Sequence, residues 1–414
     1  MERIVVRQPV FCRNQEVFGY KILCSSKRPD SLDSADRAEA SLKEIENTFL
    51  LIGFERIAGG KNAFVDLTKS LFAGETGISL PKDQTIVEVS YPMEPKQVLV
   101  RSCKGLKEAG YAIAVDSLFL NDKDMLTVLD LVDIIKIRPG QMSAALKGIQ
   151  ERPSEAGKRL LAEKVNSREE FHRAMEAGCH YFHGHFFSEP VIISGRDLPQ
   201  YELTQLRILH EVSRRELDYA ALENVIKVDV SLSYKLLKFI NSPFFGLRRE
   251  VSSIKQALNL LGENEIRKWT SLVIMKSLGK NKPMELVVAS LVRAGFCEAL
   301  ASRIGLKDTS GEPFLMGLFS MLDVFLGIPL KQIVEEMPLS GDIKGALSGK
   351  RNKYRKLLDL VTSYERGELR TFLTLAAKLN IKEGTITDLY LSAIDRAEDA
   401  LQLYGPDKAG ANEV

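Results

Sequence analysis

All five histidines fall between residues 172 and 210, and His180, His183 and His185 are spaced closely enough to raise the question of a metal site. On a strand through this stretch, alternation puts His183 and His185 on one face and His180 on the other. No cysteine or acidic pattern completes a ligand set, so the cluster reads as a local polar rim. The five cysteines, Cys12, Cys24, Cys103, Cys179 and Cys297, include no CxxC pair and are odd in number. That usage suits free thiols in a reducing compartment, with neither a disulfide framework nor a zinc site. A third chemistry, phosphate binding, is suggested by Arg248, Arg249, Lys255, Arg267 and Lys268 around the lone Trp269. The formal net charge of +2 argues against a dominant nucleic-acid footprint, and solvated helix faces account for the same residues.

The elements that must position such residues follow from length and pattern. A chain of 414 residues suggests two domains of roughly 200 residues each. Apolar residues at 45% and charged residues at 27% are those of a folded globular chain. The start, Met1 to Asn14, has Glu2, Arg3 and Arg7 interrupting its apolar residues and lacks the hydrophobic run of a secretory signal. The most apolar stretch, Phe314 to Leu330, is broken by Asp323 and Pro329 and falls short of the ~20 residues of a membrane span. It reads as a buried core helix, and a cytoplasmic location without membrane contact is expected.

Up to about residue 195, short β-rich runs alternate with amphipathic segments. Val5–Phe11 and Phe18–Cys24 flank a polar turn and predict a hairpin. Strands follow at Ala63–Leu67, Ile86–Val89, Ala112–Val115, Ile134–Ile137, Leu160–Glu163 and Tyr181–Phe182, with helices such as Pro95–Ala109 and Arg168–Ala177 between them. This pattern predicts a closed TIM-like (β/α) barrel with an irregular hairpin start. An open doubly wound sheet is the alternative, disfavoured because no Gly-rich phosphate loop follows an early strand.

Gly195 and Pro199 punctuate the chain where the strand pattern stops, so the fold class is α/β followed by all-α, with domains at 1–198 and 199–404 and a frayed polar tail at 405–414. In the second domain, Ser231–Ile240 predicts a helix capped by Ser231 or Asp229. Ser252–Leu261 predicts another that closes at Gly262.

Ordered short motifs then connect the first domain to a known family. Arg7-Gln8-Pro9-Val10, Gly19-Tyr20-Lys21-Ile22-Leu23, Val65-Asp66-Leu67-Thr68 and Val87-Glu88-Val89-Ser90 come first. Ala114-Val115-Asp116-Ser117, Ile134-Ile135-Lys136-Ile137, Ala162-Glu163-Lys164-Val165 and the closing His183-Gly184 to Ser188-Glu189-Pro190 come after them. Over about residues 3 to 195 the chain resembles the EAL family of cyclic di-GMP phosphodiesterases. The resemblance implies a barrel whose strand ends carry carboxylates and an amide around Mg²⁺ or Mn²⁺, which activates water against a phosphodiester.

The substitutions bear directly on that chemistry. Lys21 stands in place of the first glutamate and presents an ammonium where the cation needs a ligand oxygen. Ser117 replaces the second aspartate of the acidic pair, Arg138 an aspartate, and Asn166 a glutamate. Asp66 is a carboxylate in place of an amide, while Glu88, Asp116, Lys136 and Glu163 remain at family positions. These vestigial positions read as a charge-paired remnant joined by Lys21 and Arg138. No catalytic residue, metal or cofactor is expected. Ser25 stands where the family carries a phosphate-binding arginine, which also counts against nucleotide binding.

From about residue 200 to 400, Val228-Asp229-Val230-Ser231-Leu232-Ser233-Tyr234-Lys235-Leu236-Leu237, Asn241 to Gly246 and Val251 to Leu258 resemble the HDOD family, a relative of HD-type phosphohydrolases without their metal ligands. Ser320-Met321 sits at the position of the His-Asp doublet, and no histidine follows His210. Neither residue type replaces an imidazole and a carboxylate on a hard dinuclear centre. The expectation is a non-catalytic bacterial signalling protein that works by binding protein partners. A cyclic di-GMP receptor or residual phosphodiesterase, and a nucleic-acid-binding regulator, stand as the alternatives.

Overall fold

The structure, a computed structural model, describes residues 4–25, 42–67, 79–90, 96–121, 126–150, 157–192, 198–214, 216–242, 245–247, 249–306, 311–381 and 386–403. The tail at 405–414 and Arg248 lie outside them.

Eight strands close into a barrel in sequence order: β1 (Ile4–Cys12), β2 (Val17–Ser25), β3 (Asn62–Asp66), β4 (Thr85–Val89), β5 (Ala112–Asp116), β6 (Ile134–Ile137), β7 (Arg159–Glu163) and β8 (Tyr181–His183). The first two form the antiparallel hairpin, β2 to β8 run parallel to their neighbours, and β1 closes the barrel antiparallel to β8. The closed barrel therefore stands, and the open-sheet alternative does not. The strands form where β-branched and aromatic residues concentrate, and their burial on both faces follows from a lumen filled by side chains.

Two layers of the lumen position the polar side chains. The lower is apolar, with Val10, Phe64, Ile86, Ala114, Ile134, Leu161 and Tyr181 packed together. Because side chains alternate with period two, the residue two positions toward the mouth faces the lumen again. Those residues are Gln8, Asp66, Glu88, Asp116, Lys136, Glu163 and His183, and Lys21 pairs in register with Gln8. Every strand thus contributes one polar side chain to a single ring above the apolar plug.

By spatial grouping, the chain forms two compact units. The first holds Met1–Glu189 together with Ser363–Ala377 and Lys382–Leu391, so C-terminal residues belong with the barrel; the second holds Pro190–Thr362, Lys378–Ile381 and Ser392–Val414.

The second unit is helical. Asp229 caps the helix Val230–Ile240 by accepting from the Leu232 amide at 2.9 Å. The helix expected to close at Gly262 does close there: it starts at Ile254, and a second helix follows Gly262 and runs to Leu278. Gly262 takes φ 73° and ψ 165°, outside helical geometry, and the helix that begins after it buries Ile266, Trp269, Val273 and Ile274.

The apolar stretch after Phe314 is two short buried helices, Glu312–Phe319 and Leu322–Leu326, rather than one. Among the described residues, no helix is long and apolar enough to cross a membrane.

Two members of the basic cluster around Trp269 are engaged within the fold, while Arg249 and Lys255 are exposed. Arg267 is buried, donates to the Val212 carbonyl and pairs with Glu263, while Lys268 pairs with Glu298 at 2.8 Å. Trp269 is buried and stacked on Phe239, so its role is packing.

Candidate functional site

Lys21 projects from β2 into the ring and places its ammonium between two carboxylates, 2.7 Å from Glu163 Oε1 and 2.9 Å from Glu88 Oε2. Lys136 supports the same group from β6, at 3.6 Å from Glu88 Oε1 and 3.4 Å from Asp116 Oδ1. Glu88 is thus shared by two lysines. Asp66 accepts from Ser90 Oγ at 3.2 Å, and Ser117 is buried at the start of a short 3₁₀ turn beyond β5.

Burial alone disfavours charge on either lysine, but the facing carboxylates outweigh it and raise both, Lys21 through Glu88 and Glu163, Lys136 through Glu88, Glu163 and Asp116. Burial likewise opposes the Glu163 carboxylate, and Lys136 and Lys21 overcome it and hold its carboxyl well below the usual range. All three groups are therefore charged in the folded protein at neutral pH.

The expected charge pairing joins Lys21, Glu88, Asp116, Lys136 and Glu163. Arg138 does not join it: it lies exposed past the end of β6 and forms no ion pair among the described residues. Asn166 is also exposed, its backbone amide held by Glu170 Oε2 at 2.8 Å.

Two further ring members, His183 and Gln8, were not expected in the ring from the sequence. His183 is buried in the lumen rather than on a polar rim, because β8 ends at His183 and leaves His185 outside the strand. His180 belongs to the opposite end of the barrel, where its Nδ1 accepts from the Leu160 amide at 3.2 Å. Gln8 joins the ring through a 3.1 Å contact between its Oε1 and His183 Nε2. Burial first, and then Lys21, pushes His183 down to about 3, so the imidazole is neutral. The legible signal for His183 was its place before Gly184 in the closing motif.

Local backbone geometry fixes the β7 and β8 ends. Gly184 has φ 150°, and a Cβ there would lie 2.1 Å from the Val165 carbonyl oxygen, so only glycine fits. Lys164, between Glu163 and Val165, has φ 58°, a left-handed conformation that side chains other than glycine adopt at a cost.

A divalent cation between Glu88 and Glu163 does not fit beside the Lys21 ammonium, which already takes their oxygens. Among the described residues, no three His, Cys, Asp or Glu side chains converge as a group that could hold a metal ion.

A barrel with this hairpin start and this ring at its strand ends is of the EAL type, and the comparisons agree. The EAL domain model matches residues 78–190 and the HDOD domain model residues 198–330. The chain belongs to the family of signalling proteins that join an EAL domain to an HDOD domain. It is 33% identical over 405 residues to the uncharacterized protein YuxH of Bacillus subtilis, covering 95% of this chain and 98% of that one. It is 32% identical over 371 residues to the cyclic di-GMP phosphodiesterase CdgJ of Vibrio cholerae, covering 88% of this chain and 85% of that one. Among solved structures it is similar to a standalone EAL protein from Vibrio cholerae O395 in its c-di-GMP-bound form, at 17% identity and a TM-score of 0.34, over 45% of this chain and 92% of that one. Lys21 and Asp66 lie before the matched EAL segment, on strands that the closed sheet assigns to the same barrel.

Proposed function

We propose that the barrel is a non-catalytic regulatory domain of cyclic di-GMP signalling, and that the protein acts by binding protein partners in the cytoplasm. The observation that carries this reading is the Lys21 ammonium at 2.7 and 2.9 Å from Glu163 and Glu88. Metal-assisted hydrolysis needs oxygens free to ligate a cation, and here a resident cation takes them instead. The lysine side chain supplies positive charge to the ring without supplying a bound water or an open coordination position. Ser117 and the outward Arg138 remove further acidic ligands from the mouth. In the helical unit, Ser320 at the doublet position is engaged with Arg293 Nη1 at 3.0 Å and with the Gly317 carbonyl at 2.7 Å, and Met321 is buried.

The competing reading, residual phosphodiester hydrolysis, draws on the similarity to CdgJ. Isothermal titration of the purified chain with cyclic di-GMP, with and without Mg²⁺, together with chromatography of the nucleotide, separates the two. Neither binding nor breakdown is expected. Binding without breakdown would make the barrel a receptor, and metal-dependent breakdown would overturn the proposal.

A further inference from the structure

The ring has a connection that leaves the lumen on the β1–β2 side. Gln8 Nε2 donates to the Glu365 carbonyl at 3.3 Å, while Gln8 Oε1 faces His183 Nε2 at 3.1 Å. A backbone carbonyl only accepts, so the amide nitrogen of Gln8 faces Glu365 and its oxygen accepts from His183. His183 therefore carries its proton on Nε2. One carboxamide spans the distance between the polar ring and residues at the far end of the sequence.

Those residues are anchored beside it, all within the barrel unit. Tyr364 is fully buried, its hydroxyl donates to the Val5 carbonyl at 2.8 Å, and its ring packs on Phe372 and Tyr390 with centroids 4.9 Å away in each case. After Glu365 the chain turns through Gly367 at φ 68°, closed by the Gly367 amide on the Tyr364 carbonyl and the Glu368 amide on the Ser363 carbonyl, both at 2.9 Å. A Cβ on Gly367 would lie 2.5 Å from Leu23 Cδ1 and 3.4 Å from Gln8 Nε2. Leu23 is two residues beyond Lys21 on β2 and pairs with Val6, so it lines the lumen one layer nearer the mouth.

We propose that the turn Glu365–Gly367 is a cover over the β1–β2 side of the barrel mouth, latched by Gln8. Any group that reaches Lys21 from that side must displace the turn or break the Gln8 bond. The state of the ring is thereby transmitted to the C-terminal helices. This holds whether or not the barrel turns over a nucleotide, so it stands or falls apart from the functional proposal above.

Hydrogen exchange of the full chain, read by mass spectrometry, tests it with the Gln8→Met and Gly367→Ala variants. Gln8→Met keeps length and volume but can neither donate to Glu365 nor accept from His183. It should speed exchange over residues 365–372 by about tenfold, the effect of one lost hydrogen bond on a local opening, and leave β4 to β6 unchanged. Gly367→Ala, which forces the turn off Leu23, should give the same local signature with the ring intact. Unchanged exchange over 365–372 in both variants, or acceleration spread evenly through the barrel, would overturn the latch.

Discussion

The Lys21 ammonium and the Glu163 carboxylate, 142 residues apart in sequence, meet at 2.7 Å inside the barrel. Each favours the charge of the other, with Glu88 adding to the effect on Lys21 and Lys136 to that on Glu163. A buried network of this kind is costly to break at one member, because the partner charges are left without compensation.

Removing the ammonium while keeping the chain length, as in Lys21→Met, should therefore lower stability at neutral pH by about 3 kcal/mol. Urea unfolding measures it. The loss should shrink when Glu163→Gln is added, since that variant removes one of the stranded carboxylates. An unaltered midpoint for Lys21→Met would mean that the contact contributes nothing.

Placing a carboxylate at the same position has a different signature. Lys21→Glu crowds a third acid against Glu88 and Glu163, so the variant should melt below the parent protein in the absence of metal. Mg²⁺ or Mn²⁺ should then raise its Tm, because a cation that binds only the folded state stabilises it by mass action. The Tm of the parent protein should be indifferent to either ion.

Acid should destabilise the protein from near neutrality downward. His183 has a folded value near 3 against about 6.5 when unfolded, so between these limits the unfolded chain binds a proton that the folded chain does not. Its contribution is fully present above about pH 6.5 and falls by about 1.4 kcal/mol per pH unit below it. The lowered carboxyl of Glu163 adds a loss in the same direction below its ordinary value of 4.5. His183→Gln should flatten the stability profile between pH 6.5 and 4.5, measured by urea unfolding at stepped pH, and leave the steeper acid limb.

Lys164→Gly should stabilise the protein by about 0.5–1 kcal/mol. It removes a left-handed lysine, and the greater chain entropy of glycine offsets only part of that gain. Thermal or urea unfolding detects it.

Much of the barrel was legible because its strands are short runs of β-branched and aromatic residues between helical segments, and Ile134–Ile137 falls at the very residues the pattern marks. The charged ring was legible through motif order: Lys21, Glu88, Asp116, Lys136 and Glu163 do converge. Gln8 and His183 were harder to see. A glutamine in an opening strand and a histidine in a local cluster declare nothing until strand closure puts them 3.1 Å apart. The return of Tyr364 to Val5 left no local trace, since a contact 359 residues apart has no periodicity to betray it. Gly262, by contrast, was legible as a helix stop, because a glycine after an apolar helical face marks a positive-φ position, and it takes φ 73° there.

If the Lys21 ammonium holds the place a catalytic cation would need, the most direct test is incubation of the purified full chain with cyclic di-GMP and Mn²⁺ or Mg²⁺, with the nucleotide then resolved by chromatography. Cyclic di-GMP should be recovered intact at every metal concentration. Metal-dependent conversion to the linear dinucleotide, abolished by Glu88→Gln, would contradict that role for Lys21.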